Sequence, residues 1–195
     1  MLPCFAYSQQ WQQYSDSILV SFKKDDIEKA YSFVKLADID LAKSKVVRDT
    51  LYADYLYRKG VVNSFKGNYD NHNFFESLSI WESSVKKNSG KIMKLYYFLG
   101  ANFQSIGDFD NSYKNYKYCY QINKKNRLPR SNNFSSALFS LASFAFYNKN
   151  YKESKRYAEE YIEYSKETAL PEFNFNYVRA FKYKNDLVGQ EKVLF

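Results

Sequence analysis

This sequence has little of what a catalytic centre or a many-stranded fold requires: one histidine, two cysteines, three prolines and six glycines in 195 residues. A single histidine, His72, excludes a multi-histidine metal site. Cys4 and Cys119 show no metal-ligand spacing and close at most one disulfide, which excludes a disulfide framework and leaves the redox compartment open. So few prolines and glycines cannot turn a sandwich of many short strands, and they favour long helices with few connections. The expected class is all-α. Long apolar runs are missing as well: the longest uncharged stretch, Ser131–Asn148, is interrupted by serines and asparagines and is too polar for a membrane span. No transmembrane helix is expected. The six glycines never approach the spacing of a dinucleotide-binding or P-loop phosphate cradle.

Aromatic side chains are what the chain has in excess. Twenty tyrosines and 17 phenylalanines carry the aromatic fraction to 20%, while 45% hydrophobic and 26% charged residues are ordinary for an ordered chain. The net charge of +8 is unevenly placed. Residues 1–85 hold 10 basic and 11 acidic side chains, residues 86–130 hold 10 and 2, and residues 131–195 hold 9 and 8. The excess therefore sits in the middle, on Lys86, Lys87, Lys91, Lys94, Lys114, Lys117, Lys124, Lys125, Arg127 and Arg130. Such a stretch is either a solvated face or an attractor for an anionic partner.

Internal similarity organises the chain. Gly60-Val-Val-Asn-Ser-Phe-Lys-Gly67-Asn-Tyr69-Asp70 aligns with Gly100-Ala-Asn-Phe-Gln-Ser-Ile-Gly107-Asp-Phe109-Asp110. A third copy runs from Ala142 through Lys149 to Tyr151, and a fourth passes through Ile27 and Ala30. With Ile27, Tyr69, Phe109 and Tyr151 as equivalent anchors, the spacings are 42, 40 and 42. Each anchor is expected to open a helix and follows another amphipathic run, such as Leu95, Leu99, Phe103 and Ile106 before Phe109. The unit is an αα-hairpin in which Gly100 and Ala142 allow close approach, and Gly107 or Lys149-Asn150 makes the turn. An irregular helical bundle is the alternative. Lys86–Lys91 and Asn123–Asn133 are the expected linkers between copies.

Tyr96, Leu99, Gly100, Phe103, Gly107, Phe109, Ser112, Tyr116 and Cys119 match, in order, the positions of the tetratricopeptide repeat (TPR) family, which the chain resembles from about Trp11 to Glu167. The long period resembles variants in kinesin light chains and bacterial regulatory proteins. Departures are the absent proline after Ile122, and His72 and Glu76 where small and aromatic residues are expected. The resemblance implies a right-handed αα-superhelix of about four hairpins over residues 11–170, with residues 171–195 forming a capping helix or part of a fifth repeat. The apolar ending Val193-Leu-Phe195 suggests a further domain or partner at that end.

The resemblance also implies a non-catalytic scaffold, without cofactor, that takes a peptide or protein segment on its first helices. Residues expected on that groove are Tyr57, Val61, Lys94, Tyr97, Phe98, Ala101, Phe139 and Ser143, an aromatic and small set lacking the charges of chaperone-tail binders. A sensory or assembly segment of a larger regulatory protein is the alternative. Nucleic acid is a less favoured partner, suggested by Lys114, Lys117, Lys124, Lys125, Arg127 and Arg130 interleaved with Tyr113, Tyr116, Tyr118 and Tyr120. Carboxylate pairs at Asp25/Asp26 and Asp108/Asp110 flank second-helix starts and read as caps, Asp38/Asp40 lies elsewhere, and Cys119 reads as inert packing.

The opening Met1–Ser8, with Ala6 and Ser8 spaced as in a cleavage site, resembles the end of a secretory signal or is a frayed leader. The first reading implies export from a start upstream of Met1, and the second a cytoplasmic protein.

Overall fold

The structure, a computed structural model, describes residues 10–44, 46–166, 183, 184 and 186. Among them are eight helices and no strand. They fall into two units, Met1–Asn88 and Ser89–Phe195. The first unit holds α1 (Gln10–Lys23), α2 (Ile27–Leu41), α3 (Thr50–Phe65) and α4 (His72–Ser83). The second holds α5 (Ser89–Ser105), α6 (Phe109–Asn126), α7 (Asn132–Tyr147) and α8 (Tyr151–Lys166). Consecutive helices pair as hairpins, α1 with α2, α3 with α4, α5 with α6 and α7 with α8.

All four hairpin turns are built alike. One residue of each takes a left-handed conformation: Asp25 (φ 57°), Gly67 (φ 80°), Gly107 (φ 80°) and Lys149 (φ 60°), spaced 42, 40 and 42 like the anchors two residues later. The next N–H donates five residues back, from Asp26 to Ser21 O (3.0 Å), Asn68 to Asn63 O (2.9 Å), Asp108 to Phe103 O (2.9 Å) and Asn150 to Ala145 O (2.8 Å). The left-handed residue donates three back, for example Gly107 N–H to Gln104 O at 3.1 Å. This is the Schellman arrangement, which satisfies carbonyls that a helix end leaves without partners. Two of the four left-handed residues are not glycine, so the geometry persists at a cost of about 1 kcal/mol per site.

In three of the four hairpins the residue after the turn caps the second helix. Asp26 accepts from Lys29 N–H (3.0 Å), Asp108 from Asn111 N–H (3.1 Å) and Asn150 from Glu153 N–H (3.2 Å). Ile27, Phe109 and Tyr151 accordingly open α2, α6 and α8. Tyr69 does not open α4: it lies in the loop Lys66–Asn71, and α4 begins at His72. The reason is packing. In the third and fourth hairpins a fully buried serine donates to a first-helix carbonyl, Ser112 to Gly100 O and Ser154 to Ala142 O, both at 2.8 Å. The anchor register puts His72 at that position, and its side chain is 77% exposed. The aromatic ring that meets Gly60 is Phe74, two residues earlier than the anchor register places it. Ser77 donates to a different first-helix carbonyl, Ala53 O (2.7 Å), seven residues before Gly60.

The close crossings are as expected. A Cβ on Gly100 would stand 2.9 Å from the Tyr116 ring, and one on Gly60 would stand 2.7 Å from the Phe74 ring. Each glycine thus seats a second-helix aromatic ring flat against first-helix backbone. In the first unit the core gathers Trp11, Ile18, Ala30, Val34, Ala37, Leu41, Tyr55 and Val62. Asp38 accepts from Tyr55 OH (2.7 Å) and from Lys59 Nζ (2.7 Å), and Asp40 accepts from Trp11 N–H (2.9 Å) near the start of α1. In the second unit Leu138, Leu141, Ala142, Ala158 and Tyr161 pack with Tyr116, Cys119 and Phe134.

The linkers are shorter than expected. Gly90 and Lys91 belong to α5, and α6 runs through Lys124 and Lys125 to Asn126 before Arg127 stops it in a left-handed conformation (φ 48°). Among the described residues no helix is long and apolar enough to cross a membrane. The leader 1–8 and the apolar tail lie outside the described residues. So does the expected capping helix or partial fifth repeat over 171–195, apart from Tyr183, Lys184 and Asp186, which are helical.

Candidate functional site

Tyr57, Tyr97 and Phe139 occupy equivalent first-helix positions, spaced 40 and 42 apart on α3, α5 and α7. Each is half-buried and leans on a second-helix ring of its own hairpin: Tyr57 on Phe74 (6.3 Å), Tyr97 on Tyr116 (6.0 Å) and Phe139 on Tyr161 (5.9 Å). Their rings therefore hold hairpins together as well as facing outward. Tyr97 also meets Phe98 edge-on at 5.2 Å, and burial pushes its phenol pKa up. Val61 is corrected: it is only 6% exposed, so it belongs to the core and offers a partner nothing. Lys94 is exposed, and Phe98, Ala101 and Ser143 are half-buried. Tyr57 and Val61 lie in the first unit and the other six in the second.

A cleft of about 570 Å³ in the second unit contains two of these residues, Phe139 and Ser143, and several that sequence reasoning missed. The end of α5 supplies Gln104. The first turns of α6 supply Phe109, Asp110 and Tyr113, and α7 adds Ser140, Phe144, Tyr147 and Asn148, with Tyr183 completing the lining. Its volume falls within the roughly 300–1,000 Å³ of ligand pockets. Phe139, Ser143 and Tyr147 recur every four residues, which brings them to one face of α7. That spacing was visible in the sequence, but the approach of the α6 N-terminus was not. Phe109 (58% exposed) and Tyr147 (72% exposed) present most of their rings to solvent. Phe109 and Tyr113 both meet Phe144, at 6.1 and 6.0 Å, and Tyr183 stacks on Phe139 (6.3 Å) and Phe146 (5.0 Å).

Polar groups in the cleft are largely committed. Tyr113 OH donates to Glu153 Oε2 (3.1 Å), Gln104 Oε1 accepts from Tyr116 OH (3.0 Å) and Ser143 Oγ donates to Phe139 O (3.0 Å). Asp110 has no hydrogen-bond or ion-pair partner for its carboxylate among the described residues.

The basic stretch is not a uniform patch. Lys117 is half-buried, 2.9 Å from Glu153 Oε1 and 3.2 Å from Tyr157 OH. Burial alone lowers its pKa, and hydrogen bonding to Glu153 and Tyr157 overrides this and raises it. Lys124 pairs with Glu160 at 2.9 Å, and Arg130 bonds Tyr164 O and lies over that tyrosine's ring. Lys114, Lys125 and Arg127 remain exposed. The interleaved tyrosines are mostly engaged. Tyr116 is buried, and Tyr113 is tied to Glu153. Tyr120 lies against Phe134 (6.2 Å) and Tyr157 (5.3 Å), its phenol pushed up to about 12 by burial and the Glu160 hydrogen bond. Tyr118 alone of the four is exposed, so a base-stacking row is not assembled.

Chemistry-bearing residues are dispersed. Cys119 is fully buried, and burial pushes its thiol pKa up, away from the reactive thiolate. Asp26 and Asp108 are helix caps, and His72 sits 3.7 Å from Glu76 on the surface of α4. Among the described residues no three His, Cys, Asp or Glu side chains are grouped to hold a metal ion.

No family model matches the chain, and no curated protein sequence matches it. Among solved structures, the nearly identical TPR-like repeats of a Podosopora anserina protein described as a kinesin light chain are similar over 95% of this chain and 92% of that one, with a TM-score of 0.67 at 11% identity. BtubC (BKLC) from P. vanneervenii is similar over 95% of this chain and 67% of that one, with a TM-score of 0.59 at 14% identity. At such identities the likeness is one of fold. The chain has a TPR-like helical repeat fold.

Proposed function

We propose that this chain is a non-catalytic interaction scaffold that takes an extended or helical segment of a partner protein on its first-helix faces, with the second-unit cleft as the main contact. TPR-like folds commonly mediate protein–protein interaction. The observation that carries the reading is the cleft itself, a concavity of about 570 Å³ whose walls include the exposed rings of Phe109 and Tyr147. Rigid aromatic rings offer large contact area at low entropic cost, so each is worth about 2 kcal/mol of binding on truncation. Within the second unit Tyr97 and Phe139 contribute ring edges, and Lys94 orients an acidic group of the partner.

The test is affinity capture from native cell extract with the full chain, comparing wild type with a Phe109→Ala, Tyr147→Ala double variant. These rings are exposed, so their loss leaves the core intact, unlike a Tyr97 truncation. The expected result is loss of specifically captured proteins with an unchanged circular dichroism melt. Equal capture by both forms would place the binding surface elsewhere, first on the exposed cations Lys114, Lys125 and Arg127.

A further inference from the structure

The second unit repeatedly builds one constellation, a basic side chain held between a tyrosine ring and a carboxylate. Lys117 lies over the rings of Tyr113 (5.4 Å) and Tyr157 (5.8 Å) while pairing with Glu153 at 2.9 Å. Lys124 lies over Tyr120 (5.8 Å) and pairs with Glu160 at 2.9 Å. Arg156 covers Tyr157 at 4.5 Å and reaches Glu153 at 3.3 Å. The cleft combines the same two components, aromatic walls and a carboxylate, and among the described residues no lysine or arginine lines it. Among the described residues Asp110 is the one ionised side chain of the lining, and its carboxylate has no partner there.

On the interaction reading above, we propose that the cleft selects a lysine or arginine side chain of the partner segment, with Asp110 pairing its charge and the rings of Phe109, Phe144 and Tyr147 packing its stem and cationic head. Ring quadrupoles attract a cation over their faces, and methylene stems cover apolar surface while the charged end reaches a polar group. Two electrostatic effects oppose this and are smaller at short range. The N-terminus of α6 carries about half a positive charge from its helix dipole, but Asp108 and Asp110 place two full negative charges in the same turn. The protein's net charge of +8 repels a cation at long range, yet across about 8 Å of physiological salt solution that field is largely screened while a contact pair is not. The favoured segment therefore has one basic anchor between apolar or aromatic neighbours and is not polybasic. Lys114, four residues after Asp110 on the same helix and unbonded to it, is the internal competitor for that carboxylate.

The test uses blocked pentapeptides Gly-Phe-X-Phe-Gly, with X as arginine, norleucine or glutamate, titrated to millimolar concentration into the full chain. Backbone amide resonances of Phe109, Asp110 and Tyr147 report binding. The arginine peptide is expected to shift these amides and to bind about tenfold more tightly than the norleucine peptide. Asp110→Asn, which keeps the shape and removes the charge, should abolish that difference, and Lys114→Ala should enlarge it. Equal binding of the arginine and norleucine peptides to wild type would overturn the proposal while leaving an apolar peptide cleft standing, as would an unchanged preference in Asp110→Asn. Tighter binding of the glutamate peptide would overturn it in favour of an acidic partner. If none of the three shifts these amides, both this proposal and the cleft as the main contact fail.

Discussion

The second and third hairpins carry the same glycine signature, Gly60/Gly67 and Gly100/Gly107, and end their first helices identically, yet their second helices start differently. In the third hairpin Asp108 follows the turn and caps α6 at once through Asn111 N–H (3.1 Å). In the second, Asn68 Oδ1 accepts from Asp70 N–H (3.2 Å) and Asp70 Oδ1 accepts from His72 N–H (3.0 Å), so two side chains carry the backbone through a longer loop. The glycines govern the turn and the close crossing. Where the second helix begins differs with the residues after the turn: Asp108 caps α6 directly and Ser112 reaches Gly100 O, whereas His72, at the position equivalent to Ser112, stands exposed at the start of α4.

The largest effect comes from breaking what the two hairpins share. Gly100→Leu and Gly60→Leu should each destabilise by about 2–3 kcal/mol in a denaturant titration, because a side chain at either position would drive into the Tyr116 or Phe74 ring. A neutral outcome at one of them would show that its hairpin does not cross closely. Next come the caps, where the hairpins differ. Asp108→Ala should cost about 1 kcal/mol and Asn68→Ala only a few tenths, since Asn68 caps no helix. Equal costs would contradict the late start of α4.

A smaller effect sharpens the comparison of turns. Lys149→Gly should stabilise by about 0.5 kcal/mol, the relief of a left-handed lysine exceeding the added freedom of the unfolded chain, whereas Gly107→Ala should destabilise by about 1 kcal/mol. Thermal melts of the two variants would show shifts of opposite sign. The smallest effect is conditional on pH. Burial raises the Glu153 pKa, but the hydrogen bonds from Lys117 and Tyr113 outweigh it and hold the carboxyl below its ordinary value. A group whose pKa is lowered by folding stabilises fully above its unfolded value and loses that contribution as pH falls through the folded one. The difference in melting temperature between wild type and Glu153→Gln should therefore be widest near neutrality and close in acid below the usual glutamate range.

Much of the fold was legible because helical hairpins announce themselves locally. Turn residues at 25, 67, 107 and 149 follow from the anchors Ile27, Tyr69, Phe109 and Tyr151, and three of those anchors open helices. The candidate site was legible only in part. Phe139 and Ser143 were reached through first-helix spacing, but Val61 was misplaced because periodicity alone does not say which flank of a helical stripe the neighbouring helix covers. Lys117, Lys124 and Arg130 read as a basic patch, and their carboxylate, ring and carbonyl partners Glu153, Glu160 and Tyr164 came from α8, 34 to 36 residues away in sequence.

By itself the sequence determined the all-α class, the period of 40 to 42 residues, the turns and the glycine crossings. Each of these rests on backbone conformation or on side-chain volume within one hairpin. Only the tertiary structure decided that α4 starts late, that Lys117 and Lys124 of the basic stretch are paired with carboxylates of α8, and that Phe109, Asp110 and Tyr147 share a cleft. These depend on which side chains from separate helices meet, because burial and charge pairing are properties of the packed neighbourhood and not of any local window.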